Sequence, residues 1–124
     1  MDLDHLAELL GVHVIETDDL HADVNGLYLH HRRMIFLRRD LDRFTRRSTL
    51  AHELAHAFHG DEAFGDPRLE RRANQWAAQL LISEDEYRAA ETLHGAHVGA
   101  IAHELGVTPD VVNTWRDIHE RTLI

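Results

Sequence analysis

His52-Glu53-Leu54-Ala55-His56 decides the fold of this 124-residue chain, because it places two histidines four residues apart with a glutamate beside the first. Residues four apart on a helix lie one turn above each other, so both imidazoles can bind one metal ion. Glu53 then lies next to that ion, where its carboxylate can take a proton from water. The stretch predicts a metal site, provided that it is helical and that a third ligand exists.

The residues around the motif predict the helix that it needs. Either Thr45 or Ser48 can serve as its N-cap, and Gly60 ends it after Phe58. Apolar residues recur at helical spacing on a core-facing stripe: Leu50, Leu54, Ala57 and Phe58. A second helix, opened by Pro67 and running over 67–82, has its own inward-facing set: Ala73, Trp76, Ala77, Leu80 and Leu81.

The remaining apolar patterns predict a small sheet and further helices. An amphipathic helix over 2–10 precedes a short strand over 12–16. Apolar runs at 27–30 and 34–37 predict an antiparallel hairpin, which gives a three-stranded sheet. Ser83 and Glu86 form a capping box for a helix over 84–94. The tail, 97–120, predicts a helix-turn-helix-like pair at 98–105 and 109–119.

Glu70, in the helix after the motif, is the preferred third ligand, because catalytic zinc sites usually have three protein ligands. A carboxylate reaches the ion only if the two helices approach closely. Ala73 and Ala77, three and seven residues further on, provide a small face that allows this. Glu62 and Asp66 are the alternatives.

Several polar residues can assist the metal or stabilise an oxyanion. Asn74, one turn beyond Glu70, can orient a ligand through a hydrogen bond. The other candidates have suitable donor groups, although packing or exposure is the more common role of such residues: Tyr28, His59, Tyr87, Arg88 and His94.

The motif, followed by Glu70-x-x-Ala73-Asn74, closely resembles the ImmA/IrrE-type metallopeptidases. The segments 2–14, 26–37 and 101–108 are also similar to that family, although Ser83 stands where it often has proline. The resemblance implies an α+β fold: a minimal zincin-like domain with a three-stranded sheet packed on the HExxH helix, followed by a helical C-terminal part with a helix-turn-helix-like tail.

The same resemblance implies roles for individual residues. His52, His56 and Glu70 would bind the metal and Glu53 would be the catalytic base. Zn²⁺ is expected, and Mn²⁺ or Fe²⁺ suits the same ligands. The implied substrate is a helix-turn-helix transcriptional repressor, cleaved to relieve repression in a phage, a mobile element or a stress response.

Composition limits the other functional classes. Cysteine is absent, which excludes disulfides and thiolate chemistry. No run approaches the about 18 apolar residues of a membrane span, and the acidic N-terminus lacks the features of a secretion signal. We expect a single cytoplasmic domain over 1–124. The net charge of −9 argues against nonspecific nucleic-acid binding.

Two charged segments leave alternatives open. Residues 32–47 contain seven Arg and two Asp, a stripe that can dock an acidic partner, although a solvated hairpin and helix edge is the favoured interpretation. The tail could be a DNA-binding helix-turn-helix, but 97–124 has two Arg against four acidic residues. A third alternative is a catalytically silent protein-binding regulator, an anti-repressor. The absence of cysteine and the presence of Glu53 favour catalysis over that alternative.

Overall fold

The computed structural model describes residues 2–62 and 65–122 as an α+β fold, as predicted. Six helices and three strands follow in the order α1 (Leu3–Leu9), β1 (His13–Thr17), β2 (Gly26–Leu29), β3 (Met34–Arg38), α2 (Arg43–His59), α3 (Pro67–Leu81), α4 (Glu84–His94), α5 (Val98–Leu105) and α6 (Pro109–Thr122). No helix in these described ranges is long and apolar enough to cross a lipid bilayer.

The sheet has the strand order β1-β3-β2, so β3 is central. The predicted hairpin is confirmed, because β2 and β3 pair antiparallel through a short 3-10 turn at His30–Arg32. β1 pairs with β3 in parallel. In β3 the side chains of Ile35 and Leu37 are completely buried, and they place one face of the sheet in the core with α2. β2 is an edge strand.

The start of α2 differs from the prediction. Asp42 is its N-cap, and the carboxylate accepts hydrogen bonds from the Thr45 backbone N–H (2.9 Å) and the Thr45 hydroxyl (2.8 Å). Ser48 lies inside the helix, where its hydroxyl accepts from the Thr108 backbone N–H. Neither Thr45 nor Ser48 is therefore the cap. Asp42 can be reached by N–H groups of the first turn, which is the physical requirement for a cap.

Most of the predicted core stripe on α2 is buried, with one exception. Leu50, Leu54 and Ala57 are in the core, whereas Phe58 is 57% exposed. Its ring stacks on Trp76 of α3, with the ring centroids 5.3 Å apart. The prediction for Phe58 was wrong, because this residue lies at the edge of the buried face of α2. There its ring contacts α3 from the side and stays largely exposed.

The C-terminal helices pack back onto α3. Trp115 of α6 is buried, and its indole N–H donates to the carbonyl of Ile82 at 3.1 Å. The Ser83 capping box predicted for α4 is present. The turn between α5 and α6 is fixed to α2, since the Arg47 guanidinium donates to the carbonyls of Leu105 and Gly106. These contacts place α6 beside the helices that contain the metal-ligand candidates.

Arginines of the basic segment are mostly engaged within the fold. Arg38 donates to three carbonyls in the loop before β2, and Arg33 contacts the Leu10 carbonyl. Arg39 and Arg46 form ion pairs with acidic residues of the N-terminal half. The arrangement agrees with the favoured interpretation of a structural hairpin and helix edge.

Candidate metal centre

Three predicted ligands converge in the structure. The Nε2 atom of His52 lies 2.7 Å from one Glu70 carboxylate oxygen, and the Nε2 atom of His56 lies 3.0 Å from the other. The two imidazole rings are perpendicular, with centroids 4.8 Å apart. Each ring therefore directs its Nε2 atom toward the Glu70 carboxylate. This arrangement is expected when two imidazoles and a carboxylate bind one ion.

The local structure explains this convergence. His52 and His56 lie one turn apart on α2, and Glu70 lies in the first turn of α3. Ala73 and Ala77 are buried on α3, which packs directly on α2. The short alanine side chains let the two helices approach closely enough for the Glu70 carboxylate to reach both rings. This is the small face that the sequence predicts.

The donor set suits a divalent transition metal. Two imidazole nitrogens and one carboxylate oxygen all lie within 4.8 Å of one another. Zinc accepts these ligands, and three of them leave a coordination position free, as in catalytic sites. Within residues 2–62 and 65–122, no other group of three such side chains is close enough to hold a metal.

Glu53 lies beside the ligands on α2 and is only 7% exposed. Burial raises its pKa to about 7, and the nearby Glu70 carboxylate adds to the rise. His52 and the backbone N–H of Tyr28 oppose the shift. A carboxyl group whose pKa is close to neutrality can accept a proton and release it again, as a general acid–base catalyst must.

Gly26 allows β2 to lie against this part of α2. A Cβ atom at Gly26 would lie 2.6 Å from Cγ2 of Thr49 and 3.1 Å from Cγ of Glu53. The first separation is too short for non-bonded carbon atoms and the second is tight, so a side chain here would displace Thr49 or the strand itself. An Asn-Gly pair such as Asn25-Gly26 is typical of a turn. Here Gly26 is the first residue of β2 and is needed for close approach.

Two of the predicted assisting residues line the same cleft as the ligands. Asn74 is exposed there, and its side chain makes no hydrogen bond with another described residue. Tyr28 is buried, and its hydroxyl contacts His30 Nδ1 and accepts from Arg33, both at 2.8 Å. In this arrangement the Tyr28 hydroxyl is engaged by its neighbours in the sheet.

His59 and Tyr87 lie outside the cleft. His59 Nδ1 is 2.7 Å from the carbonyl of Ala55, one turn back on α2. Tyr87 is buried between α4 and α6, where its hydroxyl accepts from Arg116 at 2.7 Å. The structure gives both residues a packing role and does not bring them to the metal ligands.

The remaining candidates also lie apart from the three-residue cluster. Arg88 forms an exposed ion pair with Glu84 on α4, and His94 is exposed at the end of that helix. Of the alternative ligands, Asp66 is the N-cap of α3. Glu62 lines the cleft, but its carboxylate is not part of the metal-binding group.

An open cleft of about 810 Å³ surrounds the cluster. Its walls are the start of β2 with the residues before it, the middle of α2, the start of α3 and one face of α6. No arginine or lysine is among its described lining residues, but seven carboxylate residues are: Asp23, Glu53, Asp61, Glu62, Glu70, Asp110 and Asp117. The cleft is therefore strongly acidic around the two histidines.

Sequence reasoning missed two features of this cleft. Asp61 is almost completely buried, and its carboxylate lies 2.8 Å from Nδ1 of His56. The signal was its place directly after Gly60, where the chain turns back over the helix end. The acidic face of α6 was also missed, because its position depends on packing between distant segments.

Comparison with protein-family models gives a match over residues 7–114, to the IrrE N-terminal-like domain of the Peptidase_M78 model. The chain belongs to this family. The suspected ImmA/IrrE relationship is thereby confirmed, and the three-stranded sheet with its helices is consistent with a minimal zincin-like domain. Comparison with curated proteins gives no match. Membership of a peptidase family and the His-His-Glu cluster together fit a metallopeptidase.

Proposed function

We propose that this IrrE-like domain is a zinc-dependent metalloendopeptidase. One observation carries the proposal: His52, His56 and Glu70 converge in an open cleft beside the buried carboxyl group of Glu53. A structural zinc site normally uses all four positions for protein ligands, usually with cysteine among them. This chain has no cysteine, and three ligands leave one position free for chemistry.

The residues of the site divide the reaction between them. A zinc ion bound by the three ligands would polarise the scissile carbonyl and acidify water. Glu53 accepts a proton from the attacking water and then donates it to the leaving amine. Burial raises the pKa of Glu53 and makes its carboxylate a stronger proton acceptor, whereas a bound zinc ion would oppose that rise. The buried position also keeps the carboxyl group from being solvated by bulk water.

An extended substrate would bind along β2. Within the described chain β2 pairs only with β3, so backbone groups of its outer edge other than the Tyr28 N–H, which donates to Glu53, are available to a further strand. Gly26, Leu27 and Tyr28 of this strand also line the cleft. A peptide that adds to this edge by backbone hydrogen bonds is aligned past the ligands without a strict sequence requirement.

We further propose that the substrate is a helix-turn-helix transcriptional repressor, and that cleavage in the cytoplasm relieves repression in a phage, a mobile element or a stress response. Family resemblance and charge support this choice. DNA-binding proteins are rich in arginine and lysine, and the cleft presents carboxylates such as Asp110 and Asp117 from α6. Opposite charges favour the encounter of enzyme and substrate.

The test combines metal analysis with a cleavage assay on the repressor encoded beside this gene. Wild-type protein should retain about one zinc ion and cleave the repressor, whereas Glu70→Ala should lose both properties. Glu53→Gln should retain zinc but not cleave. Release of the repressor from its operator by uncut complexes of Glu53→Gln would instead support the alternative of a catalytically silent anti-repressor.

A further inference from the structure

Asp61 is a buried carboxylate that contacts a metal-ligand candidate from outside the cluster. Its side chain is 6% exposed, and Oδ2 lies 2.8 Å from Nδ1 of His56. The other ring nitrogen of His56 faces Glu70. We infer that Asp61 is a positioning residue, which fixes the ring orientation and the tautomer of His56 and thereby raises metal affinity. The inference rests on the metal centre proposed above.

The turn at the end of α2 places Asp61 where this contact is possible. Gly60 has a φ of 68°, the left-handed conformation that glycine adopts easily. The backbone N–H of Asp61 then donates to the carbonyl of His56 at 2.9 Å. The carboxylate is therefore held over the last turn of the helix by the backbone, next to the ring that it contacts.

The direction of the hydrogen bond determines the tautomer. A carboxylate oxygen can only accept, so the ring donates its Nδ1–H to Asp61. Metal binding then requires the lone pair of Nε2, and this is the ring nitrogen that faces Glu70. Metal-binding histidines commonly have such a partner on the second nitrogen, which also makes the ligating nitrogen more basic.

Arg72 holds the carboxylate from the opposite side. Its guanidinium lies 2.5 Å from Oδ1 of Asp61, the oxygen that does not contact His56. Arg72 also lies two residues after Glu70 on α3. The contact therefore links α3, which provides Glu70, to the turn that orients His56. It helps to fix the positions of these two ligands relative to each other.

The arrangement is specific to one of the two histidines. His52 also directs Nε2 toward Glu70, but within the described chain its Nδ1 has no carboxylate partner. Removal of Asp61 should therefore disturb the tautomer of His56 and leave that of His52 unchanged. A general loss of structure would not distinguish the two rings in this way.

Zinc affinity provides the first test. Asp61→Ala should bind zinc about 10- to 100-fold more weakly than wild type in a competition titration with a chromogenic chelator. Arg72→Gln leaves the Asp61–His56 contact in place and should give a smaller loss. Asp18→Ala is the matched control, because Asp18 is also a loop carboxylate paired with an arginine (Arg39, 3.3 Å) but contacts no histidine. It should bind zinc as wild type does.

The tautomer provides a second readout that does not depend on peptidase activity. Long-range proton–nitrogen correlation spectra of zinc-loaded protein should show His56 with Nδ1 protonated and Nε2 ligated. The His56 signals are assigned by their loss in His56→Gln. In Asp61→Ala the Nδ1 proton should exchange with water faster, while the signals of His52 should not change.

The outcomes separate this inference from the proposed function. Wild-type protein that binds no zinc would refute the metal centre itself. A different result would refute only the positioning role: wild type binds zinc, and a folded Asp61→Ala variant binds it equally well with unchanged His56 signals. If Asp61→Ala does not give the wild-type circular dichroism spectrum, the spectra of zinc-loaded wild type decide, and an unprotonated Nδ1 of His56 overturns the inference.

Discussion

Replacement of the buried Glu53 by glutamine should stabilise the metal-free protein, and the gain should depend on pH. The pKa of Glu53 is raised from 4.5 to about 7 by burial, so the folded protein holds a proton that the unfolded chain releases. Stability from this group is present below pH 4.5 and is lost as pH rises through 7. Glutamine has nearly the same shape and no charge, so it does not impose this loss.

The size of the gain follows from the shift. One pKa unit corresponds to about 1.4 kcal/mol, so the rise from 4.5 to about 7 corresponds to about 3 kcal/mol at pH 8. At pH 6 the same two values give about 2 kcal/mol, and at pH 4 the gain vanishes because Glu53 is protonated in both states.

Urea unfolding of chelator-treated wild type and Glu53→Gln at pH 4, 6 and 8 measures this difference. Glu8→Gln is the control, since the Glu8 side chain is 81% exposed and its replacement should change little at any pH. Added zinc should reduce the advantage of Glu53→Gln, because a nearby cation favours the carboxylate. A difference that is the same at all three pH values, or wild type that is the more stable at pH 8, would refute the reasoning.

Three further predictions concern the framework and the cleft. Asp42→Ala removes the α2 N-cap and should lower the free energy of unfolding by about 1 kcal/mol, measured in urea, with zinc affinity unchanged in the folded protein. Gly26→Ala introduces a Cβ atom 2.6 Å from Cγ2 of Thr49, so it should lower the free energy of unfolding by about 1–3 kcal/mol and lower kcat. Wild-type stability of this variant would show that β2 need not lie this close to α2. The double variant Asp110→Asn, Asp117→Asn should raise KM for a basic peptide by about two- to tenfold and weaken the salt dependence of kcat/KM, without changing zinc content. An equal effect on KM for an acidic peptide would contradict a role for charge.

The parts of the site that depend on local spacing could be predicted from the sequence. His52 and His56 lie one turn apart because helical geometry requires it, and Glu70 follows on a helix that Pro67 opens. The alanines of that helix indicate close approach without knowledge of the fold. The hairpin strands were also predictable, since two short apolar runs, 27–30 and 34–37, are separated by polar residues.

Features that depend on contacts between distant segments could not be predicted in the same way. The pairing of β1 with β3 depends on the path of the chain, because the β2–β3 hairpin could place either of its strands beside β1. The acidic wall of the cleft comes from α6, whose position is set by the packing of Trp115 beneath the Ile82 carbonyl. Asp61 lies in the short connection between α2 and α3, where burial of one carboxylate has no periodic signal.

Polar burial on α2 links the stability of the fold to its chemistry. Three polar residues of the helix are buried: Ser48, Glu53 and His56. Ser48 accepts a hydrogen bond from the Thr108 backbone and His56 contacts two carboxylates, so the fold provides side-chain or backbone partners for both. Glu53 has the Tyr28 backbone N–H as a partner, but burial outweighs this contact and raises the pKa of the carboxyl group. A carboxyl group in this environment destabilises the folded state at neutral pH, which is the property that lets it exchange a proton in a reaction. The cost in stability and the proposed role of Glu53 in catalysis therefore have the same physical cause.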